Sequence, residues 1–346
     1  MKNLNTLYEG GVKMKKKDKV FVAIVLFLVL VVLPILIICV QPAQGAETFP
    51  SKSIRFIIGG VAGDAYDING RKFAPTLGKK LGVDVLPVNA LGPMSVHFFD
   101  AVHVATPDGY NLGFGGALHR MYHIIKPGRL KYDVTTLPVV AAINTFPDVV
   151  WASSKSKLNL KTANDLLNFK GPIKVNLFSP ILVGVCSLAI LAKERNLDLR
   201  PIIYEGFPEG HVAMLRGDVD IGTTTVSGAP LKYIRAGHYI PLFVWGKERY
   251  KELPETPCSR ELGLNPDLED TIQQRVFLLP PGTPSDRVAK LSQGIEAMLT
   301  DPEMVRWGKE ADQPLFFMTA DEFEKTQGKL LRFYMKHIEA LRPFLK

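Results

Sequence analysis

The sequence predicts an α/β protein in which helices cover parallel sheet. Three observations carry that prediction. Short β-rich runs alternate with amphipathic stretches, the junctions between them are rich in glycine, and the alternation persists over about three hundred residues without a sustained repeat. That length fits two α/β domains better than one. The chain has 346 residues and is 47% apolar, which suits a buried core and excludes wholesale disorder.

Residues 1–46 read as a leader. Val20–Val40 carries no charge, follows Lys13, Lys15, Lys16, Lys17 and Lys19, and precedes Gln41-Pro42-Ala43-Gln44-Gly45-Ala46, the pattern of an export signal. Small residues at Ala43, Gly45 and Ala46 suit cleavage, while the run is long enough to span a bilayer uncleaved. Bulky Ile38 before Cys39 argues against lipid attachment there. Residues 1–13 fit no part of a signal, and Glu9-Gly10-Gly11 can be encoded by a purine-rich ribosome-binding stretch. Translation is therefore expected to start at Met14, with 14–46 as the signal peptide. The formal charge of +8 is half leader, where six lysines face Glu9 and Asp18. What remains is no nucleic-acid signature.

The first β-α-β unit runs from Ile54–Ile58 through Phe73, Leu77 and Leu81, spaced four apart, to Val83–Val88. The rhythm returns with Ile173–Phe178, Gly184–Glu194, Pro201–Tyr204, Pro208–Arg216 and Val219–Thr223. The C-terminal quarter is helical. Val288, Leu291, Ile295 and Met298 share one face of a helix opened by Pro284-Ser285. Phe323, Leu330, Tyr334, Ile338 and Leu341 share a face of another, whose Thr319-Ala320-Asp321-Glu322 has the spacing of a reciprocal cap.

Three strand exits are candidate ligand loops: Gly59–Asp67, Val88–Ser95 and Leu112–Ala117. Glycine lets backbone approach a ligand, and a helix start offers free amides and partial positive charge to a carboxylate or phosphate. Asp64 also reads as the cap of the following helix. His119 and His123, four apart without a carboxylate partner, are a weak metal signal, so no metal and no cofactor are expected. With no zinc motif, nucleophile elbow or phosphate loop, the reading is non-enzymatic. Three cysteines exclude a disulfide framework; Cys186 and Cys258 are either one bridge or two small apolar side chains.

At Thr48–Ile57 the chain resembles the opening of the tripartite tricarboxylate transporter substrate-binding proteins, the Bug-type solute receptors. Pro107-Asp108-Gly109-Tyr110-Asn111-Leu112 resembles the family's Pro-Asp-Gly-Tyr-Thr-Leu, and Tyr132-Asp133 with Leu137-Pro138-Val139 its Tyr-Asp-Pro and Phe-x-Pro-Val. Tyr204-Glu205-Gly206, the segment from Ala213 to Asp220, and Pro280–Pro284 continue the likeness in order and spacing, over about residues 48–345. The resemblance implies the type II periplasmic-binding-protein fold, two α/β lobes joined by crossing strands near residues 148 and 270. Lobe 1 is then 47–148 with 271–346, and lobe 2 is 149–270. It implies an exported receptor, in the periplasm or on the outer face of the cytoplasmic membrane. Such a receptor closes as a monomer on a small organic acid and delivers it to membrane permease subunits.

Departures from the family bear on the ligand. The family's Pro-Ala-Gly-Gly-x-x-Asp becomes Val61-Ala62-Gly63-Asp64-Ala65-Tyr66-Asp67, with an acid at the second glycine. Two unit charges about 4 Å apart repel by about 4 kcal/mol at a surface-like dielectric. Pointing inward, Asp64 disfavours a simple dianion or favours a ligand that also carries a cation; pointing outward, it is a cap. The loop Val88–Ser95 loses the family's paired glycines and gains Met94, and Phe178–Ser187 keeps only Ser179 of the family's serines and glycines in register, leaving an apolar wall. An acid with a hydrocarbon or aromatic part is expected. The expected ligand residues are Ala62, Gly63, Asp64, Ala65, Tyr66, Asp67, Gly92, Met94, Ser95, Gly115, Gly116 and Ala117 through backbone amides, with Ser179, Thr223 and Thr224 closing from lobe 2. His119 with Arg120 is either the compensating positive charge or an exposed pair. A rival reading is a receptor that signals through a membrane sensor kinase.

Overall fold

The computed structural model describes residues 15–17, 20, 21, 27, 48–90, 96–117, 131–177, 183–204, 207–269, 272–313 and 315–344. The chain divides into Met1–Phe49 and Pro50–Lys346. In the first unit Val20, Phe21 and Phe27 are helical and exposed. Most of Val20–Val40 lies outside the described residues, among which no helix is long and apolar enough to cross a membrane.

In the second unit the chain leaves β1 (Ile54–Ile58) for helix α1 (Ala65–Leu81) and returns as β2 (Val85–Asn89), parallel to β1. Asp64 caps the start of α1, and Gly82 ends it in the left-handed conformation, φ 75°, which glycine adopts without penalty. Helix α2 (Val96–His103) leads to β3 (Asn111–Gly116), parallel to β1 on its other side. Thus Gly113, Gly115 and Gly116, read from the sequence as a strand exit, belong to the strand itself. Gly59, Gly113 and Gly115 make room for the fully buried Phe98: a Cβ at Gly115 would meet its ring at 2.6 Å.

Strand β4 (Val139–Ser153) serves two sheets. Val139–Pro147 pairs with β9 (Ile272–Leu278) and β10 (Phe316–Met318); Asp148–Ser153 pairs with β7 (Ile221–Thr225) and β8 (Tyr239–Val244). The β4–β9 register shifts between Asn144 and Pro147. Proline, lacking a ladder donor, suits such an irregularity. The second sheet is completed by β5 (Pro172–Leu177), parallel to β7, and β6 (Asp198–Ile203), parallel to β5. The order is β2-β1-β3-β9-β4-β7-β5-β6, with β8 and β10 also on β4. The result is two mixed α/β sheets, the two-lobed architecture expected. Parallel pairing holds for β2-β1-β3 and β7-β5-β6; β4, β8, β9 and β10 pair antiparallel where they meet these or one another, which strand–helix alternation does not signal.

Helices α3 (Ala163–Leu167), α4 (Val183–Arg195), α5 (Phe207–Arg216) and α6 (Gly228–Arg235) follow the second-sheet strands. All ten residues from Val183 to Ala192 are buried, so α4 runs through the interior and meets solvent only at its end, Lys193–Arg195. Cys186 lies within it and Cys258 in a separate cluster around Trp151 and Tyr239; both are free thiols. Helices α7 (Ser285–Leu299), α8 (Pro302–Glu310), α9 (Ala320–Lys336) and α10 (Ile338–Leu341) close the chain. Leu291, Ile295 and Met298 of α7 are buried, and the Thr319–Glu322 box caps α9, which breaks from α10 at His337. The first sheet packs on a cluster of rings, Phe114 lying 4.9 Å from a tilted Phe277 and 5.5 Å from an edge-on Phe73 between centroids.

Candidate ligand-binding site

The β1–α1 turn is closed by its own acids. Asp64 Oδ1 accepts from Tyr66 N (2.8 Å) and Asp67 N (2.9 Å), and Oδ2 from Val61 N (3.0 Å); Asp67 Oδ2 accepts from Gly63 N (3.0 Å). Four amides expected to greet a ligand carboxylate, or adjoining that loop, are therefore taken by carboxylates of the chain. Asp64 takes three of the four and Asp67 takes the fourth. Gly60 lies so close to Asp64 that a Cβ would meet its carboxylate oxygen at 2.3 Å. Burial pushes the Asp64 carboxyl up to about 6 against the pull of its three amides, and Asp67 adds a smaller push. For Asp67 itself, burial is outweighed by the Gly63 amide, Asn89 and Arg71, so its carboxyl sits below the usual range.

A cleft of about 380 Å³ opens beside this turn. The start of α1 contributes Gly63, Asp64, Ala65, Tyr66 and Ile68; α5 contributes Phe207, Pro208, His211 and Val212 from the other sheet. Thr224, Thr225 and the Ser227–Pro230 turn form the floor on that side, with Tyr233. Gln273 and Arg275 enter from β9, and Gln313 follows α8. The volume is that of a small-molecule site, and apolar and polar side chains share its lining.

Arg275 is the central feature. It is 2% exposed, and its Nε and Nη1 have no hydrogen-bond partner among the described residues. Burial pulls its pKa down while Tyr66 and Asp64 pull it back; a guanidinium remains charged regardless. The guanidinium carbon lies 5.7 Å from the Tyr66 ring centre. A buried cation with unmade hydrogen bonds is costly in the empty protein and is satisfied by an anion. Gln313 Oε1 is likewise buried without a partner. Burial pushes His211 down to about 4, so it is neutral at pH 7; its Nδ1 lies 2.6 Å from Tyr239 Oη.

A polar chain ties the cleft to the point where β4 changes sheet. Gln273 Nε2 donates to Tyr66 Oη (3.1 Å), Thr225 Oγ1 donates to Gln273 Oε1 (2.7 Å), and Asp148 Oδ1 lies 3.0 Å from Thr225 Oγ1. Thr225 has one proton for the two acceptors, Asp148 Oδ1 and Gln273 Oε1, and donates it to one of them at a time. Burial, partly opposed by Thr225 and Gly184, pushes Asp148 up to about 7.

Of the residues expected from sequence, Gly63, Asp64, Ala65, Tyr66 and Thr224 line the cleft. Ala62, Asp67, Gly115, Gly116, Ala117 and Thr223 are not among its lining; Thr223 is fully buried, its Oγ1 facing Gly184. Gly92, Met94, Ser95, His119 (with Arg120) and Ser179 lie outside the described residues. Arg275, Gln273, Gln313 and His211 were not anticipated. For Arg275 a signal existed: a charge inside the run Val276-Phe277-Leu278-Leu279 and its preceding glutamines.

Residues 70–333 match the family described as tripartite tricarboxylate transporter family receptor, TctC. A UPF0065 protein of Bordetella pertussis is 30% identical over 274 residues, covering 76% of this chain and 81% of its own. Among solved structures, MatC from Rhodopseudomonas palustris with bound malate superposes with a TM-score of 0.69 at 20% identity, covering 86% of this chain and 100% of its own. A second R. palustris protein, solved with adipate, gives 0.70 at 20%, covering 85% and 98%. These structures share the two-lobed binding-protein fold.

Proposed function

The chain belongs to the tripartite tricarboxylate transporter receptor family, a family of non-enzymatic solute-binding receptors, and we propose that it captures a small organic carboxylate in the cleft at Arg275 and delivers it to a tripartite tricarboxylate-type permease. The observation that carries this reading is the buried Arg275 guanidinium, whose Nε and Nη1 have no partner among the described residues, in a cleft lined from both sheets. Malate and adipate in two relatives of the same fold support a carboxylate as the class of ligand. The acid is held between residues 47–148 with 271–346 on one side and 149–270 on the other. The change of partners along β4 at Pro147–Asp148 supports that division. Opening about this crossing admits the acid, and closing completes the hydrogen bonds of Arg275. The leader pattern supports a periplasmic location, or one on the outer face of the cytoplasmic membrane, and a monomer suffices for the cleft.

Thermal-shift measurement against a panel of carboxylates tests capture: an acid at 100 times its dissociation constant adds about 2.7 kcal/mol. Stabilisation of wild type and none of Arg275→Gln is expected. Delivery is tested by uptake of the stabilising acid in cells deleted for the gene; uptake at the wild-type rate would overturn it.

A further inference from the structure

We infer that the acid seated on Arg275 is a monoanion with an apolar body, and that Asp64 acts as the specificity residue that turns dianions away. The inference rests on the receptor reading above and deepens it.

The charges of the cleft give the first reason. Among its described lining residues Arg275 is the only side chain cationic at neutral pH and Asp64 the only acid, because His211 is neutral. One carboxylate of a ligand neutralises Arg275. A second finds no cation among these residues and meets the Asp64 carboxylate in a partly desolvated space, where repulsion is stronger than in water. Asp64 cannot swing aside, because three backbone amides hold its two oxygens.

The walls give the second reason. From the other sheet Phe207, Pro208, Val212 and Pro230 line the cleft with side chains that bury hydrocarbon favourably, and the Thr224, Ser227 and Tyr233 hydroxyls beside them carry no positive charge to hold a second carboxylate. The arrangement asks for one anionic end and one apolar end.

Calorimetry on protein freed of bound acid, with two matched pairs, provides the test: hexanoate against adipate, and phenylacetate against its para-carboxylated counterpart. Each pair differs by one carboxylate. At least one monoanion is expected to bind one per chain, at least tenfold more tightly than its dianionic partner. Asp64→Asn, which keeps a capping oxygen and drops the charge, is expected to narrow that ratio at least fivefold by tightening the dianion. A dianion binding wild type as tightly as its monoanionic partner overturns the inference, and so does a ratio unmoved in Asp64→Asn with an unchanged melting temperature. The wild-type comparison stands even if that variant fails to fold. Should none of the four acids bind, this inference is overturned, while the receptor reading itself falls only if no acid of the wider panel stabilises the protein, a result distinct from failed discrimination.

Discussion

Replacing Arg275 with methionine is expected to stabilise the empty protein while abolishing its function. Methionine fills similar space with no charge. In wild type Nε and Nη1 are buried without hydrogen-bond partners among the described residues. A buried donor left unmade costs about 1–3 kcal/mol, so two cost roughly 2–6 kcal/mol. Attraction to Asp64, and to the Tyr66 ring whose centre is 5.7 Å from the guanidinium carbon, offsets about 1–2 kcal/mol. The net gain on removing the charge is on the order of 1–4 kcal/mol, in line with replacements of buried charges by apolar groups. With an unfolding entropy of about 2.1 cal/mol/K per residue over roughly 300 residues, that is about 2–6 °C in Tm. Scanning calorimetry of wild type and Arg275→Met, both unfolded and refolded to remove bound acid, reads the difference. The variant is expected to melt higher without ligand and to gain nothing from acids that stabilise wild type. Melting several degrees below wild type would refute the reasoning, since it would mean that Arg275 is satisfied within the empty protein.

Three further outcomes follow from buried groups and close approaches. Asp148 has its folded pKa raised from the ordinary 3.8 to about 7. Its stabilising contribution is thus full below the unfolded value and lost as pH rises through about 7, by up to about 4 kcal/mol. Urea denaturation between pH 4 and 8 should show that loss in wild type and a flatter profile in Asp148→Asn; parallel profiles would contradict it. His211 behaves oppositely, with its folded pKa depressed from 6.5 to about 4. Its contribution is present above pH 6.5 and lost as pH falls through about 4, so His211→Gln should soften the acid limb by up to about 3 kcal/mol in the same melts. Gly184→Ala places a Cβ 2.5 Å from Asp148 Oδ2 and 2.6 Å from Thr223 Oγ1. Although alanine favours helix by up to about 1 kcal/mol, overpacking should prevail and cost about 1–3 kcal/mol; an unchanged urea midpoint would contradict this.

Much of the scaffold was legible because period and caps are local signals. The four-residue spacing of Phe73, Leu77 and Leu81 marks α1, and Thr319 with Glu322 marks the start of α9. The antiparallel pairing of β9 with β3 and β4 was not legible, since nothing in Gln273–Leu278 specifies which neighbours it finds. At the site, glycines drew attention to the Gly59–Asp67 loop, where the chain itself satisfies the Val61, Gly63, Tyr66 and Asp67 amides. Asp64 is both of the things its position allowed, a helix cap and a charge on the cleft. Gly115 answers to Phe98, a contact across elements that spacing cannot reveal. Arg275 is anonymous in sequence because its meaning depends on Nε and Nη1 finding no hydrogen-bond partner among the described residues, which is a property of three-dimensional packing alone.

The most direct test identifies the small molecule released when the purified protein is denatured and compares its affinity for wild type and Arg275→Gln. An intact carboxylic acid, bound one per chain and weakened at least a hundredfold in the variant, about 2.7 kcal/mol, is the expected result. A released molecule without a carboxylate, or an acid that binds both proteins equally well, would contradict the placement of the ligand on Arg275.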